Sequence, residues 1–190
     1  MRNYEIISGY TIGTPYEQEI QYLIESMKKF NFSCEHIVPY NNQGTWEKNC
    51  QYKAIIIKEK LKELNKPVLW LDADAVILKD PVIFEKIKED IACAFWYGVV
   101  SSTLYIKNND NTKIVIDEWI TLNEKKPKEW DQRTLTEVLK DKTISIKKLS
   151  HSYCKIDYFK ANDPFIIQNQ ASRRFKGLIN NAGVNGKKST

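Results

Sequence analysis

Residues 67–74 read PVLWLDAD, and this stretch limits the possible folds of the 190-residue chain more than any other. Its first four residues after Pro67 are all apolar, so a strand here would need cover on both faces. Proline suits the start of a strand, because it lacks the N–H that a later position would need for pairing. The stretch therefore predicts a buried strand in the middle of a largely parallel sheet, with helices packed on either side.

The segments before it predict a β-α-β start. YEIIS (4–8) and CEHIV (34–38) are typical of short strands, and the segment between them has the 3.6-residue periodicity of a helix. Thr14, Pro15 and Glu17 predict a capping-box start for that helix. Apolar strands and amphipathic helices continue to alternate along the chain. The fold class predicted is α/β, a Rossmann-like sandwich with a mostly parallel central sheet and helices on both faces.

One domain is predicted for residues 1–178, since the length and the 42% apolar content suit a single core. Residues 179–190, around Gly183 and Gly186, are basic and poorly patterned, which predicts a flexible C-terminal tail.

Lys53 conflicts with the apolar stripe of the second predicted helix, residues 45–65. At 100° per residue Lys53 falls inside that stripe, and Asn49 falls at its edge one turn earlier. Two interpretations remain open at this point. The lysine stem could cover apolar surface while its ammonium reaches water, or the ammonium could enter a cleft and meet an anion.

The charge and the cysteines exclude several classes of protein. The net charge is +5 with scattered basic residues, which does not match the concentrated basic face of a nucleic-acid-binding protein. Four separated cysteines argue against a disulfide framework, and two histidines exclude a His-rich metal site. We find no signal-peptide pattern and no apolar run of about 20 residues. These features predict a cytoplasmic protein, with peripheral membrane association left open.

Asp72 and Asp74 follow the central strand and are expected to face the same way. Ligands of open α/β sheets bind beyond the carboxyl ends of the strands, where these side chains would project. Two close carboxylates repel each other unless a cation neutralises them. Mg²⁺ or Mn²⁺ would do so, using one or two carboxylates and completing its shell with water and phosphate oxygens. The pair therefore predicts a metal site with a phosphate-bearing ligand.

DADAV (72–76) also resembles the D-x-D-x-[TV] pattern of haloacid-dehalogenase-type phosphatases. That resemblance implies Asp72 as nucleophile, Asp74 as acid/base and Mg²⁺ as cofactor. In that family the pattern normally follows the first strand, whereas here a β-α-β-α stretch precedes it. No second acidic pair suited to complete the metal site follows it.

A set of segments in order resembles the small GT-A glycosyltransferases, which use nucleotide-diphospho-sugars. The segments are SGYTIGTPY, GTWEKNCQYK, VLWLDADAVILKDP, SSTLYIKN, EWDQRTL, SYCKID and PFIIQNQASRRFK. Together they span most of the chain. The resemblance implies a GT-A sandwich in which the D-x-D segment follows a central strand and helps to bind the donor.

The resemblance also implies roles for individual residues. Asp74 would be the main ligand of Mn²⁺ or Mg²⁺, and Asp72 would contact the metal or the ribose. The other donor-binding residues implied are Tyr10, Thr11, Asn49 and Lys53. Tyr10 and Thr11 would line the base or ribose pocket, and Lys53 would approach the phosphates or the sugar. The metal would stabilise the departing nucleoside diphosphate as a Lewis acid.

Asp131 and Gln132 begin the predicted helix in EWDQRTL. Asp131 could be a helix N-cap. The resemblance instead implies that both residues lie beside the transferred sugar or the acceptor hydroxyl, where Asp131 could act as general base or only bind hydroxyls.

The closing segment departs from the family pattern. Gln168 stands where members often have a metal-binding histidine, and an amide oxygen binds these metals more weakly. We interpret His151 as an ordinary surface or turn residue. Arg173 and Arg174 could grip a diphosphate, or could be solvated.

The prediction is a metal-dependent glycosyltransferase that moves a sugar from a nucleotide-diphospho-sugar to a saccharide or glycan-precursor acceptor. The aromatic residues Trp96, Tyr97 and Trp130 are candidate platforms for that acceptor. The alternatives are a catalytically weak or inactive nucleotide-sugar-binding domain, favoured by Gln168, and the phosphatase. The sequence does not indicate the sugar, the nucleotide, the stereochemical outcome or the oligomeric state.

Overall fold

The computed structural model describes residues 2–140 and 143–185, with side chains described as far as Leu178. Two sheets are present in these residues. The strands of the larger sheet are β1 (Glu5–Thr11), β2 (Ile37–Tyr40), β3 (Val68–Leu71), β5 (Ile91–Phe95), β6 (Val99–Ile106) and β7 (Ile146–Lys148), and those of the smaller sheet are β4 (Ala75–Ile77) and β8 (Ile166–Gln168). The order in the larger sheet is β2-β1-β3-β6-β5-β7.

The larger sheet is mostly parallel, as predicted. Strand β1 is parallel to β2 and to β3, and β5 is parallel to β7. Strand β6 is antiparallel to both of its neighbours, β3 and β5. Residues 96–98 alone connect β5 to β6, and so short a connection permits only an antiparallel pair. The antiparallel strand therefore follows from a hairpin, and it brings the first half of β6 beside the carboxyl end of β3.

Helices cover both faces of this sheet. They are α1 (Tyr16–Lys29), α2 (Trp46–Leu64), α3 (Asp110–Lys125), α4 (Asp131–Lys140) and α5 (Ala171–Asn185). Helix α1 packs on one face, in a core that contains Ile6 and Leu69. Helices α2, α3 and α4 pack on the other face, in a core that contains Ile7 and Trp70. These two residues directly follow Ile6 and Leu69 in the sequence. Because adjacent strand residues face opposite ways, the all-apolar β3 supplies both cores, as predicted.

The start of α1 differs from the predicted capping box. The N-cap is Pro15, whose side chain makes no capping hydrogen bond, and the helix begins at Tyr16. The hydroxyl of Thr14 donates to the carbonyl of Thr11 and so ties the preceding loop to β1. The Glu17 carboxylate accepts from the N–H of Gly13. The two polar side chains therefore hold the loop that follows β1.

The C-terminal boundary also differs from the sequence interpretation. Helix α5 runs from Ala171 to Asn185, so it continues into the segment predicted as a tail. Residues 186–190, the rest of that segment, lie outside the described residues. In the described part of the chain, every helix is too short or too polar to cross a membrane.

Candidate active site

A cleft of about 420 Å³ opens where β1 and β3 end. Its walls come from the ends of these strands, from α2, from the first half of β6 and from the starts of α4 and α5. The predicted residues that line it are Tyr10, Thr11, Asn49, Lys53, Asp72, Asp74, Asp131 and Gln132. The fold thus brings together residues that lie up to 122 positions apart in the sequence, at the edge where ligands of α/β sheets bind.

Lys53 is the centre of an ion-pair network in this cleft. Its ammonium lies 2.8 Å from a carboxylate oxygen of Asp72 and 2.8 Å from one of Asp131. It also lies 3.2 Å from the hydroxyl of Ser101, which donates to Asp131 at 2.7 Å. Lys53 is only 5% exposed. Of the two interpretations of this lysine, the structure therefore supports the cleft and the anion, and the anions it meets here are carboxylates of the protein.

The network explains how a buried ammonium is tolerated. Burial alone would lower the pKa of Lys53, because it disfavours the charged form. The ion pairs with Asp131 and Asp72 outweigh burial and raise the pKa of Lys53 above its ordinary value. Lys53 is therefore a permanent positive charge in the cleft wall, and it partly neutralises the two carboxylates beside it.

Asp72 and Asp74 reach the cleft through a turn. Strand β3 ends at Leu71, and the N–H of Ala75 donates to the carbonyl of Asp72 at 2.9 Å, which closes a four-residue turn. We expected both side chains to share one face of a continuous strand. That expectation was wrong, because the strand ends at Leu71 and a turn follows. The prediction that both carboxylates lie at the cleft was confirmed.

Trp70 fixes the position of Asp72. Its indole N–H donates to Oδ1 of Asp72 at 2.7 Å, and the same oxygen faces Lys53. One oxygen of Asp72 is thus held by two donors. The side chain keeps 34% of its surface exposed, so it can still meet a ligand in the cleft.

Asp74 is held by the start of α5. Its Oδ2 accepts a 2.6 Å hydrogen bond from the N–H of Ala171, the first residue of that helix. The residue is only 8% exposed. Burial, followed by the negative charge of Asp72, raises the pKa of Asp74 from its ordinary 3.8 to about 6, even though the hydrogen bond from Ala171 opposes the shift. The ionised form of Asp74 therefore lacks sufficient positive charge nearby.

Gln168 lies beside this pair but not in the cleft wall. Its Nε2 donates to the carbonyl of Ser102 at 3.2 Å and lies 3.1 Å from the hydroxyl of Thr103. Since a carbonyl can only accept, these contacts fix which end of the amide is the NH₂ group. The other end, Oε1, is buried and has no hydrogen-bond partner among the described residues. It is an acceptor that a donor or a cation would satisfy.

The oxygen donors here fit a hard divalent cation in kind. Asp72 and Asp74 line the cleft and supply carboxylates, while the unpartnered amide oxygen of Gln168 lies outside the cleft wall. Within residues 2–140 and 143–185, no group of three or more His, Cys, Asp or Glu side chains is arranged to hold a metal ion. A cation bound here would therefore need additional oxygen ligands, which water and phosphate can supply.

The predicted donor-binding residues differ in what their polar groups already contact. Tyr10 and Thr11 end β1 and line the cleft. Asn49 lines it too, but its Oδ1 accepts from the N–H of Gln43 and its Nδ2 donates to the side chain of Asn42. Asn49 therefore holds the loop that connects β2 to α2, and it shapes the cleft through that loop.

Asp131 is the first residue of α4, and its carboxylate contacts Lys53 and Ser101. These contacts favour the interpretation that places Asp131 in the cleft over the one that makes it a helix N-cap. The indole N–H of Trp119 donates to the backbone carbonyl of Asp131 at 3.0 Å and so anchors the helix start from the core. Gln132 lines the cleft next to it.

The two arginines are separated by the structure. Arg173 lines the cleft, with its guanidinium over the ring of Tyr158. Arg174 pairs with the buried Glu19 of α1 at 2.8 Å. His151 begins a short 3₁₀ helix and stacks on Phe159, which is compatible with a structural role.

Sequence reasoning missed the roles of Ser101 and Trp70. Ser101 links Lys53 to Asp131, and Trp70 orients Asp72. A signal existed for Trp70, because residues i and i+2 on a strand share a face. A serine at the start of an apolar strand is a weaker signal, since its partners come from two distant helices.

No protein-family model matches this sequence, and no curated protein matches it either. Solved structures do match. A glycosyltransferase involved in the glycosylation of the major capsid of PBCV-1 superimposes with a TM-score of 0.68 at 13% identity, over 96% of this chain and 98% of that one. Mouse xyloside xylosyltransferase 1 gives 0.60 at 8% identity, over 89% and 98%.

The glycosyltransferase GlyE of Streptococcus pneumoniae TIGR4 gives a TM-score of 0.58 at 14% identity, over 98% of this chain and 64% of that one. The chain thus spans about two thirds of GlyE. These similarities show that the chain has a glycosyltransferase fold of the GT-A type, as the ordered segments predicted. The phosphatase alternative gains no support, because its aspartates belong after the first strand and Asp72 follows β3.

Proposed function

We propose that this chain is a metal-dependent glycosyltransferase that transfers a sugar from a nucleotide-diphospho-sugar to a saccharide or glycan-precursor acceptor. The observation that carries the proposal is the pair of carboxylates at the end of β3. Asp74 lies there beside Asp72, and its burial, followed by the negative charge of Asp72, raises its pKa. A divalent cation would stabilise the ionised form of both carboxylates, and a diphosphate would supply oxygens that complete its shell.

Asp74 and Asp72 are the residues that would hold the metal, with Oε1 of Gln168 as a further oxygen donor. A bound Mn²⁺ or Mg²⁺ would supply Lewis-acid stabilisation of the negative charge on the leaving diphosphate. Tyr10 and Thr11, which line the cleft where β1 ends, would contact the nucleoside part of the donor. Arg173, at the start of α5, is the described guanidinium best placed for phosphate oxygens.

Lys53 acts through its neighbours in this proposal. Its ammonium contacts both Asp72 and Asp131 and so fixes the spacing between the two carboxylates. Ser101 is a second link to Asp131. Asp131 can then present its carboxylate to a sugar or acceptor hydroxyl. Whether Asp131 moves the proton is tested with Asp131→Asn. Loss of transfer with donor affinity retained supports proton transfer, and full activity removes Asp131 from the reaction.

The deciding experiment is thermal melting of the full chain with a panel of nucleotide-diphospho-sugars, with and without Mn²⁺. At roughly 100 times Kd, a bound donor should add about 2.7 kcal/mol of stability, which is visible as a melting shift. Asp74→Asn keeps an acceptor for the Ala171 N–H but removes the charge, and it should abolish the Mn²⁺-dependent shift. Asp110→Asn, at an exposed site on α3, is the matched control.

If no nucleotide sugar shifts the melting temperature of the wild type in Mn²⁺, the proposal is wrong. The second candidate is a nucleotide-sugar-binding domain without turnover. It would be identified if a donor raises the melting temperature but no nucleoside diphosphate is released in the presence of diverse acceptors. One observation favours that candidate. Lys53 already satisfies both Asp72 and Asp131, so the carboxylates of the cleft are partly neutralised before any ligand binds.

A further inference from the structure

The tip of the β5–β6 hairpin carries two exposed aromatic side chains. Trp96 is 44% exposed and Tyr97 is 98% exposed, in a turn where the N–H of Trp96 donates to the carbonyl of Gly98 at 2.8 Å. Tyr97 has a φ of 54°, in the left-handed region that costs energy for a residue with a bulky side chain. A large aromatic ring is thus presented to solvent at the expense of backbone strain.

The hairpin tip is fixed on α4 rather than loose. A Cβ at Gly98 would come within 2.9 Å of the Thr136 hydroxyl, so the absence of a side chain at Gly98 permits the close approach. That hydroxyl accepts from the N–H of Val99 at 2.9 Å and donates to the carbonyl of Gln132 at 2.7 Å. Thr136 therefore sets the distance between the hairpin tip and the start of α4.

Trp96 is supported by a stack of rings. Its ring meets that of Phe159 edge-on at 5.3 Å, and Phe159 stacks on His151 at 3.9 Å. His151 is in turn bound through Nε2 to the carbonyl of Phe95 at 3.0 Å. The ring of Tyr97 lies edge-on to Trp96 at 5.1 Å. The two rings stand at 75° to each other and together form an angled platform, in which Trp96 is held in place from the core side by Phe159.

Beside the platform lies a hollow of about 430 Å³, here called the hairpin hollow. Trp96, Tyr97, Trp130, Gln132, Arg133 and Glu137 contribute to its walls. Trp130 and Gln132 also line the main cleft, so the two spaces are adjacent. Exposed aromatic rings beside a few polar groups are the composition of a small-ligand site rather than of an ordinary surface.

We propose that the hairpin hollow binds the acceptor saccharide, with one of the two rings packed against the apolar C–H face of a sugar ring and the other, nearly perpendicular to it, against the edge of that sugar. This inference rests on the proposed function and adds the location and chemistry of the second substrate. Aromatic rings bury that face with little loss of rotamer freedom. Gln132, shared with the cleft, binds sugar hydroxyls at the boundary of the two spaces.

Among the described residues, three charged side chains line the hollow, Arg133, Glu137 and Lys140, and the first two are paired within the protein. Arg133 pairs with Glu129 at 3.2 Å, and Glu137 pairs with Lys126 at 2.6 Å. These two side chains have counter-ions from the protein, and the ammonium of Lys140 can donate to the hydroxyl oxygens of a neutral saccharide. Hydroxyl groups, which both donate and accept, match what these side chains can still offer.

The test uses the full chain on an array of immobilised neutral mono- to tetrasaccharides. The oligosaccharide bound best is then titrated against Tyr97→Gly and Trp96→Ala. Glycine adopts a φ of 54° without strain, so Tyr97→Gly removes the ring while holding the melting temperature. We expect saccharide affinity to fall at least about tenfold in each variant. Tyr22→Ala, an exposed aromatic residue on α1, is the matched control and should bind like the wild type.

Wild-type affinity in Tyr97→Gly and Trp96→Ala, or binding of no saccharide by the wild type, overturns the inference. The donor-dependent melting shift is measured separately, which distinguishes the two proposals. A donor shift without saccharide binding rejects the hairpin hollow and leaves the transferase. Saccharide binding that depends on the hairpin, without any donor shift, supports the hollow as a saccharide site and rejects the transferase.

Discussion

The backbone N–H of Ala171 donates a 2.6 Å hydrogen bond to Oδ2 of Asp74, across 97 residues of sequence. The carboxylate proposed as the main metal ligand therefore also holds the first turn of α5. A negative charge at a helix N-terminus is favourable, since the unpaired N–H groups there carry partial positive charge. The contact joins the proposed metal site to the helix that supplies Ser172 and Arg173 to the cleft.

Asp74→Asn should stabilise the metal-free protein increasingly as the pH rises. The pKa of Asp74 is about 6 in the folded state against an ordinary 3.8, so between these values the folded state binds more protons than the unfolded state. The free energy of unfolding therefore falls as the pH rises through this window, and Asn removes the effect. The gain over wild type should grow by up to roughly 3 kcal/mol between pH 4 and pH 7.5.

Urea unfolding at both pH values, in the presence of a chelator, measures this difference. Asp110→Asn, on the exposed start of α3, serves as the carboxylate control. A gain for Asp74→Asn that is the same at both pH values would contradict the assignment of a raised pKa.

Lys53→Met should destabilise the fold strongly. It leaves the buried Asp131 without its ammonium, and breaking a buried pair in this way costs about 3–5 kcal/mol. Lys58→Met on the same helix removes an exposed ion pair with Asp117 and should cost less than about 1 kcal/mol. The double variant Lys53→Met/Asp131→Asn should lose less stability than the sum of its single changes. Additivity of the two changes would show that the pair is not coupled.

Trp119→Phe should impair the site from the core. The Trp119 indole N–H donates to the backbone carbonyl of Asp131 at 3.0 Å and to the Thr134 hydroxyl at 3.1 Å. Phe leaves these buried acceptors without that donor, at a cost of about 1–3 kcal/mol. We expect slower sugar transfer with donor affinity retained, because Trp119 anchors the start of α4, where Asp131 lies. Ile114→Ala, at an exposed site on α3, is the control, and equal kinetics in both variants would refute the positioning role.

Gly9→Ala should overpack the junction between β1 and α2. A Cβ at Gly9 would lie 2.7 Å from Cδ1 of Ile56 and 3.3 Å from the ring of Trp70. We expect a loss of about 1–3 kcal/mol in the free energy of unfolding. Ile56→Val removes the clashing methyl group, so the double variant should be more stable than Gly9→Ala alone. If the double variant is instead less stable, the clash is not with Ile56.

Local patterns were sufficient to predict the elements that position the site. The all-apolar β3 and the stripe of α2 follow from the local pattern, and the conflict at Lys53 left two interpretations open, of which the structure supports the buried charge in a cleft. Periodicity could not reveal which anions Lys53 meets. Asp131 lies 78 residues away, and only the packing of α4 against α2 brings the two together.

The other features that the sequence did not reveal also depend on tertiary contacts. The turn after Leu71 directs Asp74 toward α5, a helix that starts 97 residues later and that was not predicted from the sequence. The sequence drew attention to Trp96 and Tyr97 as aromatic residues. It could not show that Thr136 holds their hairpin against α4, since that contact depends on a glycine at 98 and on a helix that follows much later.

The hairpin tip carries no residue that lines the main cleft. Trp96, Tyr97 and Gly98 join two strands through a three-residue connection, and the strands themselves are anchored in the core. Changes at these positions can therefore alter the surface beside the cleft while the D-x-D turn and Lys53 stay as they are. Under our proposals, substitutions at this one turn can change the acceptor specificity of such a transferase while its donor binding stays the same.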